Sequence, residues 1–143
     1  MDQLQQLLER QAITAAMHRY CRAADGRDPD GFVSVFAEDG FGDYTRGPVV
    51  GREALRAFFD KFIGGMMEAT QHQVSNIDID IDFDDEKTAR AVSYVTAWHR
   101  FREPKPDYVV HGQYHDVWTR LSGEWLLASR RIAVLGEVHQ PRG

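Results

Sequence analysis

The groups in this chain that could move a proton or hold an ion are few enough to weigh one at a time. There are six histidines and a single cysteine. Histidine titrates near neutrality and is the usual general base. His72 lies in the polar run Thr70-Gln71-His72-Gln73, and His99 lies between Trp98 and Arg100; each alone reads equally well as a surface or strand residue. Asp25 ends an apolar-periodic stretch and alone reads as a helix-terminating residue. His111 and His115 invite a metal reading. On a strand, however, residues four apart are separated by about 13 Å, too far for one ion, so no metal is expected. Asp78, Asp80 and Asp82 alternate with isoleucines and read as the wet face of a strand. Arg130 and Arg131 are adjacent, so at most one points inward. Cys21 cannot form an internal disulfide and reads as a buried, inert thiol.

The elements that must position these residues follow from periodicity. Leu4, Leu7, Leu8, Ile13, Met17, Tyr20 and Ala24 recur at helical spacing, which predicts an amphipathic helix over about residues 3–24. Gly26 follows, where a left-handed residue often ends a helix. Asp28-Pro29 predicts an N-cap and first turn of a short second helix, with Phe32, Val33 and Phe36 on one face. Phe41 to Tyr44 is a short strand candidate. Arg46-Gly47-Pro48 is a turn. A third helix is expected from about Arg52 to Ile63, with Leu55, Phe58, Phe59 and Phe62 as its buried stripe and Gly64-Gly65 as its stop.

The second half changes period. From Gln71 to Phe83, Ile77, Ile79, Ile81 and Phe83 alternate with aspartates, predicting a strand with one face in the core. Thr88 to Arg102 is rich in β-branched and aromatic residues. Tyr108 to Leu121 and Glu124 to about Val138 are joined by the hairpin signal Ser122-Gly123. Helices segregated from an antiparallel meander predict an α+β fold: three N-terminal helices on a curved, mostly antiparallel sheet that forms a cone-shaped barrel with a mouth. The tail Gln140–Gly143 is expected to fray.

Composition narrows the function. At 143 residues the chain suits a single domain, 1–143, and 43% apolar residues can form a core. Aromatic residues make up 11%, which suits a pocket for a flat or greasy ligand. The net charge of −5, without a basic stripe, argues against nucleic-acid binding. No apolar run approaches a membrane span. The start Met1-Asp2-Gln3-Leu4-Gln5 lacks the order of a signal peptide, so a cytoplasmic location is expected.

Three stretches carry a resemblance over nearly the whole chain: Tyr20-Cys21-Arg22-Ala23-Ala24-Asp25-Gly26-Arg27-Asp28, then Phe36-Ala37-Glu38-Asp39 with Gly51-Arg52-Glu53-Ala54-Leu55, and Ser122-Gly123-Glu124-Trp125. In this order and spacing the chain resembles the nuclear-transport-factor-2-like fold and its SnoaL-like branch. Within that branch it is similar to the scytalone dehydratase and hexachlorocyclohexane dehydrochlorinase families. Both use an Asp at the end of the first helix and a His at the start of the long sheet, which implies Asp25 and His72 here. The scytalone dehydratase pattern adds a tyrosine in an Asp-Tyr pair, matched by Asp43-Tyr44, and a second strand His, matched by His99. The chain departs from that pattern at Ala24, where the family has a second pocket tyrosine, and at Gly112 and Tyr114, where it has a serine and an asparagine. Scytalone itself is therefore not the expected substrate. The dehydrochlorinase pattern implies a pocket aromatic at Tyr114 and a basic contact at Arg130. Tyr20 and Phe41 complete the expected lining.

The resemblance implies a definite chemistry. A His oriented by a buried Asp abstracts a proton from carbon, and Tyr44, His99 or Arg130 steadies the developing negative charge. The expected activity is a cofactor-independent lyase, a dehydratase or another elimination, or an isomerase acting on a hydrophobic cyclic small molecule. A polyketide-type cyclase and a non-catalytic small-molecule-binding module are the alternatives. An Asp25–His72 separation beyond about 5 Å would favour the binding module. Val95, Trp98, Val117 and Trp118 offer apolar area on both sides of the sheet. A homo-oligomer, trimer or dimer, is therefore expected.

Overall fold

The computed structural model describes residues 1–142. Helix α1 runs over Gln3–Asp25 and opens with a capping box, in which Asp2 accepts from the Gln5 backbone N–H and the Gln5 side chain accepts in return. Its buried face is Ile13, Ala16, Met17, Tyr20 and Ala24, spaced three and four residues apart. Leu4, Leu7 and Leu8, expected on that face, are 58–65% exposed. Gly26 is not left-handed: its φ is −85°, and the positive φ falls on Arg27, at 58°. Glycine is required at 26 for another reason, since a Cβ there would lie 2.9 Å from the Arg22 carbonyl. Arg27 is steadied by a 3.0 Å bond from Nη2 to the Met67 carbonyl.

Helix α2, Pro29–Ser34, starts as expected, with the Asp28 side chain accepting from the Gly31 N–H. It stops earlier than expected. Phe36 belongs to strand β1, Phe36–Asp43, because Phe36 and Ala37 pack into the core against the last strand, where Phe36 pairs with Leu127. Strand β2 is Pro48–Val50, and α3 is Arg52–Phe58. The chain then winds as a π-helix over Phe59–Gly64. Such wide turns recur at functional sites. Here Leu55 and Phe59 are buried, while Phe58 and Phe62 are only half-buried.

Four long strands follow: β3 Met67–Ile81, β4 Thr88–Phe101, β5 Asp107–Leu121 and β6 Glu124–Gln140. They form an antiparallel meander, and β1 joins β6 in parallel. The order β2-β1-β6-β5-β4-β3 leaves the curved sheet open, with β2 and β3 as edges. The helices pack on its concave side, and the core lies between. Ser122 and Gly123, both with positive φ, make the expected tight hairpin. The tail is more ordered than expected: β6 extends to Gln140, and Arg142 bonds to the Phe101 and Glu103 carbonyls and to Glu68. Gly143 lies outside the described residues.

Bulges decide which side chains face inward. In β3 the register slips between Ser75 and Asp78, and Asn76 takes φ of 50°. Ile77, Ile79 and Ile81 face the core beyond the slip. Before it, the inward residues are Val74, His72 and Thr70. A regular strand has strict two-residue alternation and could not put His72 on the same face as Ile79. The bulge makes that possible.

Candidate active site

Asp25 is the last residue of α1. A carboxylate at a helix C-terminus faces the negative end of the helix dipole, so it must find donors elsewhere. It finds them on β3. Oδ1 accepts from Thr70 Oγ1 at 2.9 Å and lies 2.7 Å from His72 Nδ1, while Oδ2 accepts the His72 backbone N–H at 2.9 Å. Burial raises the Asp25 pKa, but the bonds from His72 and Thr70 outweigh it and hold the carboxyl below its usual value. A carboxylate at Nδ1 keeps the proton on that nitrogen, leaving Nε2 with the lone pair. His72 lines a cavity of about 250 Å³, and Nε2 has no partner among the described residues.

His99 pairs with Thr70 across the β3/β4 ladder and lines the same cavity. Its ring is edge-on to that of His72, with centroids 5.7 Å apart. Its Nδ1 lies 3.1 Å from the Tyr108 carbonyl, so it donates there. Burial, and then the neighbouring His72, lower its pKa against the opposing pull of that carbonyl. Burial thus favours the uncharged form of the His99 ring.

The floor is phenolic. Tyr44 lies just past β1, in a turn where Thr45 has φ of 75°. Its ring folds back over Gly42, where any Cβ would come within 2.7 Å of it. The ring stacks on Phe58 at 4.8 Å, and its hydroxyl lies 2.6 Å from that of Tyr20. Tyr20 sits one turn before Ala24 on the buried face of α1, so this neighbour supplies the second phenol that position 24 lacks. Tyr114 stands edge-on to Tyr20. Burial raises the pKa of all three.

Two expected lining residues are elsewhere. Phe41 does not line the cavity: Gly40 and Gly42 take the inward positions of β1, so Phe41 faces away, under the Arg131 guanidinium. Arg130 points inward but does not reach the cavity. It lies behind Tyr20 and Tyr114, in a buried pair with Asp116.

Several lining residues escaped the sequence reading. Phe58, Phe62, Ile63 and Met67 form one apolar wall, while Tyr108, Glu137 and Arg46 contribute polar groups. Burial and then the adjacent Glu137 push Tyr108 up to about 12. Tyr108 was legible, since it shares the two-residue alternation of Val110 and Tyr114. Glu137 was not, because two slips in the β5/β6 register, at Val117/Trp118 and His111/Gly112, change the inward set of β6. His111 and His115 are exposed. Among the described residues no cluster of three His, Cys, Asp or Glu could hold a metal, and no helix is long and apolar enough to cross a membrane.

The arrangement offers an imidazole base, a carboxylate that orients it and phenol donors across a largely apolar cavity. Comparison with curated proteins gives no match. Among solved structures, a Novosphingobium aromaticivorans protein provisionally described as a scytalone dehydratase is 30% identical, with TM-score 0.85, over 96% of this chain and 95% of that one. The hexachlorocyclohexane dehydrochlorinase LinA-type3 of Novosphingobium barchaimii is 15% identical, with TM-score 0.85, over 96% and 94%. ActVI-ORFA of Streptomyces coelicolor is 22% identical, with TM-score 0.72, over 87% and 95%. The last two speak for the fold alone. The SnoaL-like domain model matches residues 5–131, nearly the full span of helices and sheet, and the chain belongs to that family.

Proposed function

We propose that this protein is a cofactor-independent lyase, a dehydratase or related elimination enzyme, or an isomerase, acting on a hydrophobic cyclic small molecule. The observation that carries this reading is the 2.7 Å contact between His72 Nδ1 and Asp25, with Nε2 free toward an apolar cavity. His72 takes a proton from a carbon next to a carbonyl. The electron pair moves onto the carbonyl oxygen, where a phenol of the Tyr20–Tyr44 pair donates to it. Collapse of that enolate expels hydroxide or halide from the next carbon. The hydroxide leaves as water with the proton held by the His72 imidazolium, and a halide leaves as the anion while that proton passes to solvent. In an isomerisation the proton returns to a different carbon. Asp25 holds the His72 tautomer and steadies the imidazolium. The short Asp25–His72 distance speaks against a purely ligand-binding module.

Exposed Val92 and Tyr94 on β4 and Val138 on β6 support a homo-oligomer, trimer or dimer, which light scattering at micromolar concentration tests. The chemistry is tested by incubating cyclic β-hydroxy ketones and isomerisable enones with the protein in deuterated water and following them by NMR. Loss of water, a shifted double bond or deuterium at the carbon beside the carbonyl is expected, and His72→Ala should abolish it. A folded His72→Ala variant with an unchanged rate removes His72 from the mechanism. Ring closure of a polyketide-like substrate would identify a cyclase instead.

A further inference from the structure

Arg130 and Asp116 are both fully buried, joined by two bonds of 2.9 Å, from Nε to Oδ1 and from Nη2 to Oδ2. The third guanidinium nitrogen, Nη1, is buried without a partner among the described residues. A buried ion pair is seldom a source of stability, since an apolar replacement of similar volume is often neutral or better. Its placement suggests another use. The guanidinium carbon lies 4.3 Å from the Tyr20 ring centroid and 4.0 Å from that of Tyr114. Both rings line the cavity, and Arg130 does not. The two rings stand edge-to-face, with centroids 6.0 Å apart, so the cation sits in the corner they form and is separated from the cavity by them.

We infer that Arg130 is a positioning residue that acts through the Tyr20 ring, making the Tyr20–Tyr44 pair a stronger donor to an oxyanion in the cavity, with Asp116 holding the guanidinium in place. This rests on the proposed reading that an oxyanion forms at the phenolic floor. A cation against a ring face withdraws electron density from it. Tyr20 passes that polarisation through its 2.6 Å contact with Tyr44. The two hydroxyls share one bond, so one O–H remains for a ligand. Arg130 opposes the burial that raises both phenols, and it favours the ionised form of each. The other charged or titratable groups around the pair are Cys21 and Asp25 on α1, Tyr108, Tyr114 and Asp116 on β5, His72 and His99 on the cavity wall, and Arg46 and Glu137 also lining the cavity.

The test uses 4-nitrophenol, whose ionised form absorbs visible light, titrated on the full-length protein between pH 5 and 9. The wild-type protein should bind the phenolate in preference to the phenol, lowering the ionisation midpoint of the bound probe. The double variant Arg130→Met with Asp116→Leu removes both charges together and leaves neither stranded. It should fold, bind the neutral phenol as before, and lose about tenfold in preference for the phenolate. A folded double variant with the wild-type midpoint would show that the pair is only structural. Tyr20→Phe keeps the ring and removes the link to Tyr44. It too should lose the preference, and an unchanged midpoint would overturn the route through Tyr20 whether or not the double variant folds. If the wild-type protein shifts the probe and Tyr44→Phe abolishes the shift, the oxyanion floor stands independently of Arg130. If the wild-type protein gives no shift, the floor and this inference fall together.

Discussion

His72 holds Asp25 at two points, through its ring Nδ1 to one carboxylate oxygen and through its backbone N–H to the other. One carboxylate thereby fixes the imidazole and the strand that carries it, and ties the end of α1 to β3. Asp25→Asn presents an amide N–H₂ to at least one of these donors. It should lower kcat about a hundred- to ten-thousand-fold with little change in KM. Asp25→Ala strands Thr70 and His72 and should also lose about 1–3 kcal/mol of stability by urea denaturation. Asp25→Asn with wild-type kcat would exclude the orienting role.

Acid should destabilise the protein in two steps. The His99 pKa is lower in the folded chain than in the unfolded one. The unfolded state therefore binds that proton first, and stability falls as pH drops below about 6.5. Asp25 is also depressed. Its contribution is present above about 3.9 and is lost as pH falls through the lower folded value. His99→Gln should flatten the first step. Urea midpoints at pH 8 and pH 5.5 measure this, and an equal acid loss in wild type and variant would contradict it.

Gly42→Ala should behave as a displaced Tyr44. The new Cβ would come within 2.7 Å of the ring, and the hydroxyl can keep its place only if the turn moves. Turnover should fall toward that of Tyr44→Phe while the melting temperature changes by only a few degrees. A variant with full activity would show that the turn absorbs the methyl group.

Asn76 tests the bulge. Asn76→Gly should be close to neutral. Asn76→Val puts a β-branched residue at positive φ and should cost about 1–2 kcal/mol. Deletion of Asn76 removes the extra residue of β3 and leaves His72 and Ile79 six apart, so a regular strand keeps both facing inward. The deletion variant should fold and keep activity, as followed by turnover and circular dichroism. Inserting an alanine after Asn76, with the bulge kept, should put the two on opposite faces and abolish activity or folding. An inactive or unfolded deletion variant beside an active insertion variant would refute the account.

The fold was legible wherever a period ran unbroken. The buried face of α1, the alternation of β4 and β5 and the Ser122-Gly123 hairpin could all be read from residue types. What stayed hidden followed from interruptions that carry little local signal. The β3 slip is marked only by Ser75-Asn76 in a polar run. The π-helical winding after Phe58 has no marker at all in its sequence. Asp25 and His72 were located separately, one at a helix end and one near a sheet edge, and only resemblance to a family joined them. Resemblance misled for Arg130, because sequence gives the face of a strand but not how many side chains lie between that residue and the cavity. It was incomplete at Ala24, whose missing phenol is supplied from the preceding helical turn by Tyr20.

The apolar wall of Phe58, Phe62 and Ile63 holds neither the base nor the phenol donors. Apart from Met67, which joins it from the first position of β3, it comes from a segment separate in sequence from α1, which carries Tyr20, and from the stretch of β3 that carries His72. On the proposed function, the side chains that bound the cavity there and those that would move the proton thus belong largely to different stretches of chain. For protein engineering, this makes Phe62 and Ile63 the place to widen the substrate range by truncation, with Phe58 kept as the support of the Tyr44 ring and Phe59 as part of the core.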